Sequence, residues 1–211
     1  MPFHVATAAA SYREATEDRL AIHHLDGGCV VVVADGVGGV SGGGRAADLA
    51  VKIIGEAIDH GTFNRFSANP WVELLIHADA IIASDRDAGA TTIAVVAVAE
   101  DVRVVGASCG DSGAVIVGAD GRLDDLTAKQ HKRRRLGSGR ALPVAFERAA
   151  LGGKLVVATD GLLSFATPGV IARIAVDDEG LDEAAEALVR AARLPNGALQ
   201  DDVAVVVVRR E

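Results

Sequence analysis

Three short runs of this chain are apolar at every position: 29–34 (CVVVVA), 155–158 (LVVA) and 203–208 (VAVVVV). A strand with one face in water alternates apolar and polar side chains; a strand without that alternation must be covered on both faces. Valine, branched at Cβ, favours the extended backbone over the helix. These runs therefore predict buried strands, each with packed material above and below.

The covers are legible too. Ala46, Ala50, Ile53, Ile54, Ala57 and Ile58 share one helical face. Asn69 and Pro70 read as the cap and first-turn residue of a second helix. Its apolar stripe is Trp71, Leu74, Leu75, Ala78, Ile81 and Ile82. Thr167-Pro168 starts a short helix, and 181–193 is amphipathic and ends at Pro195-Asn196-Gly197.

Between these lie strand-like runs at 92–99, 102–108 and 114–117, joined by connectors of only a few residues. Parallel neighbours need a crossover of about a dozen residues, so the runs predict an antiparallel meander. Asp120-Gly121 predicts a further hairpin turn. The expected fold class is α+β: a four-layer αββα sandwich, two mainly antiparallel sheets flanked by helices. At 211 residues the chain suits one domain.

The chain carries 29 acidic against 21 basic residues, a net charge of −8, which argues against a nucleic-acid binder. Cys29 and Cys109 sit in apolar surroundings and read as small buried hydrophobes, not a disulfide pair. No apolar run approaches the ~18 residues of a membrane span, and the first residues lack a secretory pattern. The expectation is a cytoplasmic protein with no membrane partner. The segment 127–139 contains His131-Lys132-Arg133-Arg134-Arg135 and has no apolar period. It reads as a solvated loop or as a basic lip that greets a phosphorylated substrate.

Five aspartates lie beside apolar strand-like runs: Asp18, Asp35, Asp111, Asp160 and Asp201. Strand ends are where loops converge on a rigid scaffold. Carboxylates packed together repel unless cations lie between them. Oxygen-only ligands select hard ions such as Mg²⁺ and Mn²⁺, and no Cys/His spacing resembles a zinc site. Glycine after Asp35 permits close backbone approach, so the Gly36 carbonyl is a further candidate ligand. Against this, Asp-Gly is a common turn dipeptide, and Asp120-Gly121 is such a turn with no chemistry assigned.

Six stretches, in order, resemble the metal-dependent protein phosphatases of the protein phosphatase 2C family in its compact bacterial form. They are Arg13-Glu14-Ala15-Thr16-Glu17-Asp18, VVVADGVGG (31–39), GATTIAVV (89–96), ASCGDSGAV (107–115), LVVATDGL (155–162) and QDDVAVVVVR (200–209). The resemblance implies a β-sandwich flanked by helices and one phosphatase domain over 1–211. It implies that Asp35 bridges two Mg²⁺ or Mn²⁺ ions, with the Gly36 carbonyl on the second. Asp160 and Asp201 would complete the first ion. Asp111, with Asp160, would hold the third ion that family members often bind. Glu17 and Asp18 would act through metal-bound waters, and Arg13 would clamp the substrate phosphate with its guanidinium fork.

The implied activity is phosphoserine/phosphothreonine protein dephosphorylation, by direct attack of a metal-bridging hydroxide without a phosphoenzyme. The implied substrate is a phosphorylated protein, the product of a bacterial Ser/Thr kinase. Two other readings stand beside it: a non-catalytic binding module on the same scaffold, and a metal-dependent phosphatase of small phosphate esters. The chain departs from the family at Val37, where some members carry a histidine, at Gln130-His131, and at Gly113 after the GDS triplet. The stretch between Asp111 and Asp160 is short, so the flap subdomain is expected to be reduced or absent at about 127–150. Ser112, beside Asp111, has no identifiable base and reads as structural.

Overall fold

The computed structural model describes residues 3–12, 14–37, 42–61, 63–177 and 180–211. Among the described residues, ten strands form two five-stranded sheets. In chain order the strands are β1 (Phe3–Ala10), β2 (Asp18–Leu25), β3 (Gly28–Gly36), β4 (Thr91–Ala99), β5 (Val104–Cys109), β6 (Gly113–Gly118), β7 (Leu123–Asp125), β8 (Val144–Arg148), β9 (Gly153–Ala158) and β10 (Val203–Arg210). One sheet has the order β1-β10-β9-β6-β7 and the other β2-β3-β4-β5-β8. Every pairing between these strands is antiparallel. Helices α1 (Gly43–His60) and α2 (Ala68–Ser84) cover the second sheet, and α3 (Asp160–Leu163), α4 (Pro168–Val176) and α5 (Leu181–Ala191) the first.

The all-apolar runs are explained by this layering. Along β3, Val31 and Val33 face the opposite sheet, while Val30 and Val32 pack beneath α1 and α2. Along β10, Ala204, Val206 and Val208 join the same inter-sheet core, while Val203, Val205 and Val207 face α5. Period-two alternation thus divides one strand between two cores, and no position is left for a polar side chain. Truncating a buried residue such as Ile54 to alanine costs about 2–5 kcal/mol, lost transfer energy plus a cavity. Trp71 is fully buried, its indole N–H donating to the Arg65 carbonyl at 2.9 Å.

Three expectations need correction. The meander holds for β4 and β5 only. After Cys109 the chain leaves that sheet, and β6 enters the other one between β9 and β7. A short connector excludes parallel pairing but does not require pairing, since a few extended residues span the roughly 10 Å between packed sheets. The second helix starts at Ala68 with Ser67 as its cap, so Asn69 lies inside the first turn. Ile81 of its predicted stripe is 37% exposed, while Asp79 is buried. Within 127–150, β8 extends the edge of the second sheet by pairing with β5. Asp120-Gly121 turns the β6–β7 hairpin, both cysteines are buried and free, and no described helix is long and apolar enough to cross a membrane.

Candidate active site

Strand ends from both sheets deliver acidic side chains to one edge of the sandwich. Asp18 opens β2, Asp35 nearly closes β3, Asp111 lies in the β5–β6 link, Asp160 follows β9, and Asp201 precedes β10. One carboxylate oxygen each from Asp35, Asp111 and Asp160 lies within 4.8 Å of the others. Asp18 faces Asp35 directly on the β2–β3 ladder. Asp201 is exposed and outside that trio, yet its charge raises the pKa of both Asp35 and Asp160. Glu17 holds the wall of the site: its backbone carbonyl accepts the Gly36 N–H at 3.2 Å and its Oε1 the Gly44 N–H at 3.3 Å. Arg13 lies outside the described residues.

The four Asp-Gly dipeptides separate on backbone grounds, with Gly27, at φ +91, in the turn between β2 and β3. Gly121 has φ +76 and open space around it, as a hairpin turn requires. Gly36 and Gly161 do not have positive φ. A Cβ on Gly36 would meet the Gly43 carbonyl carbon at 2.5 Å, and one on Gly161 would run into the Asp202 carbonyl. Glycine there serves close packing of chain segments behind Asp35 and Asp160, not a turn.

Second partners hold the acids in place. The Thr159 hydroxyl donates to Asp18 Oδ2 at 2.8 Å and accepts the Ala204 N–H at 2.9 Å, tying β2, β9 and β10 together. The Thr91 hydroxyl donates to the Asp35 carbonyl at 2.7 Å. Ser112 and Thr92 share a buried hydroxyl contact of 2.6 Å, so Ser112 is structural as expected. Asp202, missed in the sequence, is 7% exposed and accepts the Tyr12 N–H at 2.6 Å and the Glu17 N–H at 2.8 Å. It fixes the segment that leads into β2.

The electrostatics are those of an uncompensated acidic cluster. Burial raises the Asp35 carboxyl far above the ordinary range, and the charges of Asp18 and Asp160 add to it. Burial also raises Asp18, partly offset by the Thr159 hydroxyl. Burial, then Asp111 and Asp201, lift Asp160 to about 6, with Arg135 pulling the other way. Asp18 Oδ1 and Asp111 Oδ1 are buried and have no hydrogen-bond partner among the described residues. Two hollows flank the cluster. One of about 580 Å³ is lined by Glu17, Arg19, Arg45 and Lys52. The other, about 350 Å³, runs from Asp111 past Gln130 to Leu163 and Pro168.

The basic segment is a loop with residues 131–134 exposed, and its far end is a tethered strap. Leu136 is fully buried and exchanges both backbone hydrogen bonds with Thr91, at 3.0 and 2.9 Å. Asp79 of α2 accepts the N–H groups of Gly137, Gly139 and Ala141 at 2.7, 3.0 and 2.9 Å. Arg135 is thereby carried to the rim of the cluster, with Nη2 3.9 Å from Asp111 Oδ2.

A two-sheet sandwich with helices outside both sheets, bearing an oxygen-only acidic cluster at one edge, is the architecture of metal-dependent phosphatases. Residues 7–193 match the family model for protein phosphatase 2C. The chain belongs to the protein phosphatase 2C family, the metal-dependent protein serine/threonine phosphatases. Among curated proteins none matches the sequence. Solved structures share the fold at low identity. A bacterial serine phosphatase superposes with a TM-score of 0.84 at 17% identity, covering 100% of this chain and 98% of that one. The serine/threonine phosphatase Stp1 from Staphylococcus aureus gives 0.82 at 18% identity, with 99% and 94% covered. The catalytic domain of the serine/threonine protein phosphatase PstP, in complex with two manganese ions, gives 0.76 at 20% identity, with 98% and 97% covered.

Proposed function

We propose that this chain is a Mg²⁺- or Mn²⁺-dependent phosphoserine/phosphothreonine protein phosphatase that hydrolyses its substrate directly. The observation that carries this reading is the meeting of Asp35, Asp111 and Asp160 oxygens within 4.8 Å, drawn from three distant parts of the chain. The residues fit hard divalent ions. The donors are all oxygen, Asp18 Oδ1 is a buried acceptor with no partner, and the pKa values of Asp18, Asp35 and Asp160 are raised as they are when acids lack cations.

In this proposal Asp35 and the Gly36 carbonyl, with Asp160 and Asp201, surround two ions, and Asp111 with Asp160 offers a place for a third. Ions there would activate a water for in-line attack on phosphorus and offset the charge of the transferring group. Glu17 and Asp18 act through bound waters, and Arg13 holds the phosphoryl oxygens. Val37 carries no proton donor, so the leaving group takes its proton from solvent within the site. A phosphorylated protein, the product of a Ser/Thr kinase in the cytoplasm, is the proposed substrate. The whole of 1–211 acts as one phosphatase domain whose flap, about 127–150, is reduced to the strap and β8.

The same reduced flap favours a second reading, turnover of small phosphate esters at an open site. Rates on phosphoserine peptides against rates on metabolite-sized phosphate esters separate the two. The parent proposal is tested by Mn²⁺-dependent release of phosphate from a phosphoserine peptide, abolished by EDTA and by Asp35→Asn. Turnover undiminished in EDTA rejects it.

A further inference from the structure

Arg135 has an arrangement that neither a surface ion pair nor a solvated loop explains. Its backbone is pinned on the C-terminal side, by the Thr91–Leu136 bridge and by the Asp79 carboxylate that accepts the N–H groups of Gly137, Gly139 and Ala141. The Cys109 thiol adds a bond to the Arg134 carbonyl at 3.2 Å. Among the described residues the guanidinium so delivered, 38% exposed, makes no hydrogen bond. Its Nε is buried without a partner, and Nη2 stops 3.9 Å from Asp111 Oδ2. The other oxygen of that carboxylate, Oδ1, is buried and also unpartnered. A cation and an anion, each incompletely satisfied, therefore stand side by side at one end of the acidic cluster.

We infer that Arg135 is a built-in counter-charge for the Asp111 end of the cluster, so that this protein binds two divalent ions and holds a third only weakly. The inference rests on the metal reading proposed above. An ion coordinated about 2 Å from the Asp111 oxygen would sit within about 6 Å of the guanidinium. At that separation a single and a double positive charge repel enough, even at the dielectric constant of water, to weaken binding about tenfold. The strap prevents the arginine from retreating by more than its own side-chain length.

The test counts ions rather than turnover. The full chain is dialysed against a series of Mn²⁺ concentrations and the metal bound per chain is measured. This is done for the unaltered protein, Arg135→Gln, Arg135→Lys and the double variant Asp111→Asn/Arg135→Gln, with thermal melts to verify folding. The unaltered chain takes up two ions well before any third. Arg135→Gln takes up the third at about tenfold lower Mn²⁺ or less, Arg135→Lys behaves as the unaltered chain, and the double variant loses the third ion again. Equal third-ion uptake by the unaltered chain and Arg135→Gln overturns the inference while leaving the phosphatase reading intact. So does a third ion that survives in the double variant. Fewer than two ions on the unaltered chain overturns both.

Discussion

Asp18 and Asp35 stand directly opposite each other on the β2–β3 ladder, two carboxylates on one face of a sheet at the edge of the core. Like charges in that relation destabilise a strand pair. Asp18 is 7% exposed, and its Oδ2 is bound by Thr159. The fold tolerates the pair as part of an acidic site, and that fact generates the first expectation.

Asp35→Asn replaces a buried carboxyl, held neutral only by its raised pKa, with an amide of the same shape that carries no charge at any pH. In EDTA the variant is more stable than the parent by about 1 kcal/mol or more, about 2–4 °C in Tm for a chain of this size. In Mn²⁺ the order reverses, because the parent gains binding energy that the variant has lost. Thermal melts of both proteins with and without metal check this. A variant less stable than the parent in EDTA contradicts it.

The raised carboxyls also set the pH dependence. Asp160, ordinarily near 3.8, is lifted to about 6 by burial and by Asp111 and Asp201, and Asp18 and Asp35 are raised as well. A raised folded-state pKa contributes stability that is complete below 3.8 and lost as pH rises through the folded value. Metal-free protein therefore melts at progressively lower temperature as pH is raised from about 5.5 to 8.5. Ligands must be ionised to bind metal, so the stabilisation by Mn²⁺ grows over the same range. A metal-free Tm that climbs across this window refutes the assignment of strain to these acids.

Asp79 should control the strap. Asp79→Ala leaves three backbone donors beside α2 without an acceptor and costs about 2–4 kcal/mol. The strap carries Arg133, Arg134, Arg135 and Arg140, so limited trypsin digestion reports its release directly. The parent is cut slowly between 133 and 140, and Asp79→Ala is cut there well below its melting temperature. Unchanged cleavage in the variant means the Leu136 bridge alone suffices.

What the sequence disclosed follows from burial. The runs 29–34 and 203–208 are unmistakable because both faces of β3 and β10 are dry. β1 and β8 were not read as strands because they are sheet edges whose side chains are largely small or exposed, a pattern shared by loops. The crossing at Gly110–Gly113 was hidden because connector length cannot distinguish a hairpin from a step between sheets. Asp79 resembles any solvated acid on a helix, and only the tertiary position of 137–141 makes it an anchor. Of the Asp201-Asp202 pair, the buried member was passed over: successive residues entering a strand turn to opposite sides, and spacing alone does not say which turns inward. Asp35, Asp111 and Asp160 were nameable, but their convergence came from likeness to a family, since each alone looks like a turn residue.

The central claim is that these distant acids form one divalent-ion site. A crystal of the full chain soaked in Mn²⁺, with anomalous scattering used to locate the metal, tests it most directly. The account predicts two Mn²⁺ peaks that share the Asp35 carboxylate, with Asp160 on one of them. No peak at Asp35, or ions found only on separate surface carboxylates, would contradict it.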